Sequence, residues 1–235
     1  MAADLPLPEA PFISAPALYD WTGFYAGVNG GFAIGTFDYS DVVEDDAVAG
    51  ILPQYSPFDF DGDGWLAGGE IGYNMQSGAW VFGGELDAQW TDIEGDRLFT
   101  NSIFADIPSG AFDTLAESEL EFFGTARARV GRAFDRFHLY GTGGLAYGEI
   151  DSTLSFPPAG GGAAVFTDDD SEFHFGFAAG AGGEFAITDH LVLGAEYLFL
   201  DLLTQEHSYL IAGDTYTMDV GYFSHIARGS VKYKF

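Results

Sequence analysis

Apolar and polar residues alternate along much of the chain with a period of two. In residues 80–90 one parity is apolar, whereas the other carries Glu85, Asp87 and Gln89. Such alternation is typical of a β-strand whose two faces meet different surroundings. Trp80 and Trp90 stand at the two ends of the apolar face, and this separation of about 10 residues matches a tilted strand that crosses a membrane. A soluble barrel would bury the apolar face, whereas a membrane barrel would turn it toward lipid.

The same alternation predicts seven more strands, near residues 21–37, 64–76, 119–134, 137–151, 172–187, 190–203 and 218–235. Each is long enough to cross a membrane with a tilt. The apolar parity also predicts which side chains contact lipid. These include Phe24 and Ile34, Leu120 and Val130, Phe173 and Phe185, and Leu193 and Phe199.

Short and long connections alternate along the chain. The short ones fall at residues 77–78, 135–136 and 188–189, and the long ones at 38–63, 93–118, 152–171 and 204–217. This order predicts an all-β fold: an eight-stranded antiparallel up-and-down transmembrane β-barrel over residues 21–235, with four long extracellular loops and three short periplasmic turns. An even strand number lets the last strand pair with the first, which removes the edges that lipid does not tolerate. Residues 1–20, rich in proline, are predicted to be an extended periplasmic segment, so both termini would be periplasmic.

Composition supports this fold. The chain has 33 Gly, 23 Phe, 12 Tyr and 4 Trp but only 8 Lys and Arg, which suits strands and interfacial aromatic girdles better than a helical bundle. No stretch approaches the roughly 18 consecutive apolar residues of a spanning helix. The chain has no cysteine, which excludes thiolate chemistry and disulfides. A net charge of −28 excludes nucleic acid as a partner, because phosphates need Lys and Arg for neutralisation.

Several short motifs resemble a known family. They are Gly-Tyr-Asn at 72–74, Gly-Gly-Leu-Ala-Tyr-Gly at 143–148, Gly-Ala-Gly-Gly-Glu-Phe at 180–185, Thr-Asp at 188–189, Ala-Glu-Tyr-Leu at 195–198 and the ending at 228–235. Together they resemble the alphaproteobacterial outer-membrane immunogenic (porin-family) proteins, which are related in fold to the barrel domain of outer membrane protein A. The resemblance covers most of residues 21–235. It implies an abundant Gram-negative cell-envelope protein and surface antigen, in contact with outer-membrane lipid. It also implies that the barrel-assembly machinery reads Tyr233 and Phe235 at the C-terminus.

Charged residues of the polar parity are predicted to face the lumen. An eight-stranded barrel is only wide enough for side chains to fill it, and charges buried there need partners. We therefore expect an ion-pair network that plugs the lumen, with a narrow polar pore through the same residues as the alternative. A wide channel would need about 16 strands. The predicted network consists of Glu70, Glu85, Asp87, Glu121, Arg127, Arg129, Glu184, Glu196, Arg228 and Lys232.

Residues 59–70 match the spacing of an EF-hand calcium loop, with Asp59, Asp61 and Asp63 at its first ligand positions. An EF-hand requires a helix on each side, whereas residues 65–76 are predicted to form a strand, so we do not expect one. Two interpretations remain: a looser Ca²⁺ or Mg²⁺ site made by the three aspartates, or a solvated acidic loop. No other cofactor is expected from the residues.

The long connections carry many carboxylates but only one basic residue, Arg97. An acidic outer rim would repel the phosphates of lipopolysaccharide unless divalent cations bridged them. Solubility alone also explains such loops.

The five histidines are the places where catalysis could occur. His138 and His190 are predicted at turns, His174 inside the barrel and His207 in a loop. His225 follows Ser224, and because neighbours in a strand point to opposite faces, the two cannot act as base and nucleophile. The sequence therefore predicts no enzyme. Family resemblance leaves one further alternative, haem bound by His174 and His207 near Tyr209 and Tyr216.

The residues thus predict a structural outer-membrane barrel with a plugged or very narrow lumen. A small porin that passes ions or small solutes, and a surface protein that binds haem or a divalent cation, are the alternatives. The oligomeric state stays open.

Overall fold

Eight antiparallel strands close into one barrel. The computed structural model describes residues 19–44, 57–99, 113–158, 161–164, 166–211 and 214–235. Each strand pairs with the next along the chain, and β1 also pairs with β8. The predicted eight-stranded up-and-down fold is confirmed. The strands are β1 (Gly23–Glu44), β2 (Phe58–Ser77), β3 (Trp80–Phe99), β4 (Thr114–Phe134), β5 (Phe137–Phe156), β6 (Phe166–Ala186), β7 (Leu191–Ile211) and β8 (Asp214–Lys234).

The strands extend well beyond their predicted ends. They contain 20 to 22 residues, about twice the 9–11 that cross a bilayer, and much of each predicted long connection is strand. Only residues 212–213 lie between β7 and β8, so His207 belongs to β7 and not to a loop. No helix in the described part of the chain is long and apolar enough to span a membrane. We call the side with the short β2–β3, β4–β5 and β6–β7 connections the turn end and the opposite side the loop end.

The turn-end half is apolar outside and polar inside. An outward band of aromatic and aliphatic side chains covers about 11 residues per strand, for example 80–90 on β3 and 175–185 on β6. Trp90 is 68% exposed and Leu86 54%, whereas Asp87, which lies between them on the opposite face of the strand, is 6% exposed. An exposed apolar surface of this extent needs an apolar solvent, so the predicted lipid-facing parity holds in this half.

The loop-end half has the opposite arrangement. On β2, Phe58 and Phe60 are buried, whereas Asp59, Asp61 and Asp63 are exposed. Apolar side chains fill the interior there, as in a water-soluble barrel. The protein is therefore a membrane barrel that continues, above its lipid-facing band, into a barrel with an apolar core. This core includes Phe37, Ile93, Phe123, Ile150, Leu154, Leu198, Leu200, Leu202, Tyr222 and Ile226.

A β-bulge in β4 contradicts two predictions. The pairing of β4 with β5 shifts by one residue between Leu120 and Phe122, which leaves Glu121 as the extra residue. A bulge of this kind reverses which parity points inward. Leu120, predicted to face lipid, is therefore fully buried in the core, and Glu121, predicted in the lumen, is exposed outside.

An aromatic pair closes the turn end. Tyr19 and Trp21, just before β1, pack edge to face at 4.9 Å inside the barrel mouth. The indole N–H of Trp21 donates to the carbonyl of Asp135, and the Tyr19 amide donates to the Asp135 carboxylate. Residues 1–18 of the predicted N-terminal segment lie outside the described residues, and the boundary at residue 20 stays a prediction.

Candidate functional site

Nine of the ten predicted lumen charges meet in the turn-end half of the barrel; Glu121 is the exception. They come from six strands, because each strand turns its polar parity inward and the ring brings these side chains to one axis. All nine are buried. They are Glu70 on β2, Glu85 and Asp87 on β3, Arg127 and Arg129 on β4, Glu184 on β6, Glu196 on β7, and Arg228 and Lys232 on β8.

Glu85 lies at the centre of this network. Its carboxylate is 2.6 Å from Arg127, 3.0 Å from Arg129 and 3.1 Å from Lys232. The hydroxyl of Tyr25 donates a fourth contact at 2.7 Å. One carboxylate thereby ties together β1, β3, β4 and β8 across the lumen.

Two arginines share the carboxylates on the loop-end side of Glu85. Arg127 contacts Asp87 at 2.8 Å and Glu196 at 2.7 Å, and Arg228 contacts the same two carboxylates at 3.1 and 2.7 Å. The Thr125 hydroxyl also donates to Asp87 at 2.9 Å. Short charge-assisted contacts of this kind are the geometry that buried ions require.

Glu184 organises the turn-end side. It lies 2.5 Å from Arg129, 2.9 Å from Lys232 and 3.1 Å from Nδ1 of His138. Lys232 also reaches Glu70 at 3.1 Å. Five carboxylates therefore face four cationic side chains, and His138 provides the additional hydrogen-bonding partner.

Sequence reasoning missed several members of the network. His138, predicted at a turn, lies on β5 and points inward. Tyr25 bonds Glu85, and the ring of Tyr140 lies 3.8 Å below the guanidinium carbon of Arg129. The sequence contains the information needed to find them, because Tyr25, His138 and Tyr140 all share the inward parity of their strands. Tyrosine reads as apolar in a hydropathy pattern, although its hydroxyl is a good partner for buried charge.

The three aspartates of the possible metal site do not surround one point. They alternate along an extended strand, and their Cα atoms span about 13 Å, whereas calcium ligands lie about 2.3–2.6 Å from the ion. In the described part of the chain no three carboxylates or imidazoles are placed to hold a metal. Glu70, the twelfth position of the loop pattern, points into the lumen and pairs with Lys232.

The histidines are not arranged for catalysis by a serine. Ser224 is fully buried, whereas the ring of His225 lies outside, where Nδ1 is 2.6 Å from the hydroxyl of Tyr197. His174 and His207 lie together inside the loop-end half, with their Nε2 atoms 3.0 Å apart. The side chain of Tyr216, part of the haem alternative, is outside the described residues.

The C-terminal aromatic residues lie on the outer surface at the turn end. Tyr233 and Phe235 are exposed and contact each other edge to face at 5.1 Å. The Phe235 amide donates to the carbonyl of Phe24, which joins the end of β8 to β1.

Comparison with known proteins agrees with this architecture. Residues 10–235 match the family model described as outer membrane protein beta-barrel domain. The chain is 33% identical to the 31 kDa outer-membrane immunogenic protein of Brucella melitensis biotype 1 (100% of this chain, 93% of the relative), and 29% identical to the 22 kDa outer membrane protein of Rhizobium leguminosarum bv. viciae (92% and 75%). Among solved structures, it shares its fold with the Escherichia coli outer membrane protease OmpT at 10% identity and a TM-score of 0.50 (91% and 97%). The chain therefore belongs to the outer membrane protein β-barrel domain family and is an alphaproteobacterial outer-membrane barrel related to the immunogenic proteins.

Proposed function

We propose that this protein is a structural component of the outer membrane, a closed barrel that neither conducts solutes nor catalyses a reaction. The observation that carries the proposal is the filling of the lumen along its length. The Tyr19 and Trp21 pair stands at the turn end, the ion-pair network follows, and the apolar core occupies the loop-end half. An ion would have to displace paired charges and then cross an apolar layer, and both steps are costly.

The test is conductance in planar lipid bilayers. We expect the folded protein to leave the bilayer as silent as a protein-free control, with folding verified on the same sample by a heat-modifiable shift in gel mobility. A variant with a deliberately opened turn end and network, Trp21→Ala with Glu85→Ala, serves as the comparison. Discrete openings of the unmodified protein that disappear in Arg228→Gln would replace this proposal with the small-porin function.

Catalysis is tested separately. The Tyr197 and His225 pair faces the lipid-exposed surface, and the hydroxyl of the neighbouring Ser224 points inward, away from the imidazole. We therefore expect lipid A from cells with and without the protein to give identical mass spectra. A mass difference that disappears in His225→Gln would contradict a purely structural role.

We also propose that the turn end faces the periplasm and the loop end the exterior. Two features support this orientation: the short connections lie on one side, and the loop-end wall is acidic. A hollow of about 630 Å³ on that wall is lined by Asp61, Asp63, Glu94, Asp96, Glu117, Glu119 and Asp151. Divalent cations would let this wall lie beside lipopolysaccharide phosphates. In this orientation Tyr233 and Phe235 are presented on the periplasmic side for the barrel-assembly machinery.

The orientation is tested by labelling single cysteines in intact cells. A single cysteine at Thr153 on the loop-end part of β5 should react with a membrane-impermeant maleimide, whereas one at Gly78 in the β2–β3 turn should react only after lysis. The reverse pattern would invert the proposed orientation.

A further inference from the structure

Two neighbouring strands, β6 and β7, form backbone-to-backbone hydrogen bonds with each other only along the turn-end half. Their pairing runs from Ala186 and Val192 to Gly176 and Leu202 and ends there. Both strands continue, β6 to Phe166 and β7 to Ile211. On their other sides they stay paired, β6 with β5 and β7 with β8, up to those ends. The barrel wall thus contains a seam between residues 166–175 and 203–211.

A bulge in β7 accounts for the seam. Between Leu202 and Gln205, β7 gains one residue relative to β8. An inserted residue bends a strand and increases its twist. β7 keeps its partner on β8 and therefore turns away from β6 at the height where their pairing ends.

Side chains bridge the seam where backbone pairing is lost. The ring of His174 contacts the Leu203 carbonyl through Nδ1 at 3.1 Å and His207 through Nε2 at 3.0 Å. The Ser208 amide donates to the Asp170 carboxylate at 3.0 Å, and the same carboxylate lies 3.5 Å from Nδ1 of His207. Both rings are fully buried. We call Asp170, His174 and His207 the clasp.

The hydrogen positions in the clasp follow from its partners. A carbonyl only accepts, so Nδ1 of His174 carries the hydrogen that reaches Leu203. In the neutral ring, Nε2 of His174 is then an acceptor, and the hydrogen between the rings belongs to Nε2 of His207. Nδ1 of neutral His207 is left as an unpartnered acceptor beside Asp170. A first added proton fits there, but a second proton on Nε2 of His174 would set two N–H groups against each other.

We propose that the clasp is a pH-sensitive lock, which holds the seam closed at neutral pH and releases it in acid when His174 takes up a proton. Opening would separate the loop-end parts of β6 and β7 and admit water to the apolar core beside Leu202 and Tyr209, both of which are buried.

The surroundings set the pH range. Asp151 on β5, Asp170 and Glu172 on β6 and Tyr209 on β7 are the titratable neighbours, and on β8 the residue paired with His207 is Met218, which does not titrate.

Burial dominates and lowers the pKa of His207 despite these carboxylates. His174 is equally excluded from solvent and lies between Phe173 and Phe175, the exposed aromatic residues at the loop-end edge of the lipid-facing band. Because burial disfavours the charged form of both rings, the clasp contributes fully above the unfolded value of about pH 6.5 and is lost as the pH falls below it.

The experiment measures the width of the seam. Because the chain has no cysteine, Ser171→Cys with Gln205→Cys places one spin label on each side of the seam, and both positions are exposed. In lipid vesicles, we expect the distance distribution to be narrow at pH 7.5 and to shift to longer distances at pH 4. The matched control, Thr153→Cys with Ser171→Cys, spans the fully paired β5–β6 boundary and should give the same distance at both pH values.

A second variant tests whether protonation of His174 opens the seam. His174→Gln keeps an amide N–H for the Leu203 carbonyl but does not titrate, so its seam distance should not change between pH 7.5 and pH 4. His225→Gln, on the outer surface, is the control and should behave like the unmodified protein.

The proposal is overturned if the unmodified seam has one distance at both pH values, or if His174→Gln opens as far as the unmodified protein does. If His174→Gln does not fold, the unmodified protein and its β5–β6 control still decide.

Discussion

The guanidinium of Arg127 lies 2.6 Å from the carboxylate of Glu85, and both side chains are fully excluded from solvent. The pair belongs to a network in which each ion has more than one partner, so the cost of desolvation is offset by several contacts at once. Removing one member leaves its neighbours charged and without compensation in a poorly polarisable interior. That imbalance makes Glu85 a sensitive position, because all four cations of the network lie within 4 Å of its carboxylate.

We expect Glu85→Gln to lower the free energy of unfolding by about 3–5 kcal/mol, the usual result of breaking a buried pair on one side. Urea unfolding in lipid vesicles, followed by tryptophan fluorescence, measures the change. Glu206→Gln on the exposed face of β7 is the control and should stay within about 0.5 kcal/mol of the unmodified protein. Equal stability of the two variants would show that the network does not hold the barrel together.

The boundary between lipid and water can be located on one strand. Leu86 and Glu94 share the outward face of β3, below and above Trp90 respectively. We expect Leu86→Arg to cost about 2–4 kcal/mol, since it places a charge near the middle of the bilayer. Glu94→Arg should not destabilise the barrel, because it stays in water and places a cation among the carboxylates of the acidic hollow. Vesicle unfolding curves of the two variants provide the measurement, and similar losses would mean that the lipid-facing band extends beyond Trp90.

Much of the barrel could be predicted from the sequence because lipid imposes a simple rule. Between Trp80 and Trp90 the outer face must be apolar, so the alternation identifies both the strand and its orientation. The same rule correctly predicts the inward orientation of nine charged residues in the lumen. It does not apply above the lipid-facing band, where Phe58 and Phe60 point inward and Asp59 outward. Those residues alternate just as regularly, but their acidic members predict a loop.

Departures from regular alternation could not be predicted. The residue types around Leu120 and Glu121 do not indicate a bulge, because the extra residue is defined only by the register in which β4 pairs with β5. The unpaired seam has the same origin in β7. The sequence predicts His138 at a turn because it follows one closely, whereas the β4–β5 turn is so tight that the second residue of β5 already points into the lumen.

The turn-end closure depends on one tryptophan. Trp21 is 2% exposed, packs against the ring of His138 at a tilt, and donates a hydrogen bond to the Asp135 carbonyl. We expect Trp21→Ala to cost about 3–5 kcal/mol, as large-to-small changes at buried sites do. It should also let a water-soluble quencher reach the lumen from the turn end. Trp80→Ala, which removes an exposed lipid-facing ring of the same size, is the control. Equal losses in the two variants would argue against a closing role for Trp21.

Glu119 lies in the acidic hollow of the loop-end wall, outside the lipid-facing band. Partial burial, together with the carboxylates of Glu121, Glu94 and Asp151, raises its pKa. Since the folded-state pKa exceeds the unfolded value of about 4.3, the ionised group destabilises the folded state as the pH rises above that value. The penalty is absent in more acidic solution, where the group is protonated in both states.

Glu119→Gln should therefore stabilise the barrel at pH 7, by less than about 1 kcal/mol because solvent screens much of the repulsion. The gain should vanish below about pH 4, where the unmodified carboxyl is protonated and resembles the amide. Urea unfolding of both proteins at the two pH values measures the stability gain of Glu119→Gln at each pH. Comparing the two gains cancels any effect of acid on the rest of the barrel. Glu206→Gln, outside the hollow, should show no such pH-dependent gain. A gain for Glu119→Gln that was equal at both pH values would mean that the substitution acts through packing or backbone geometry at the neighbouring bulge, and that charge repulsion in the hollow contributes nothing measurable.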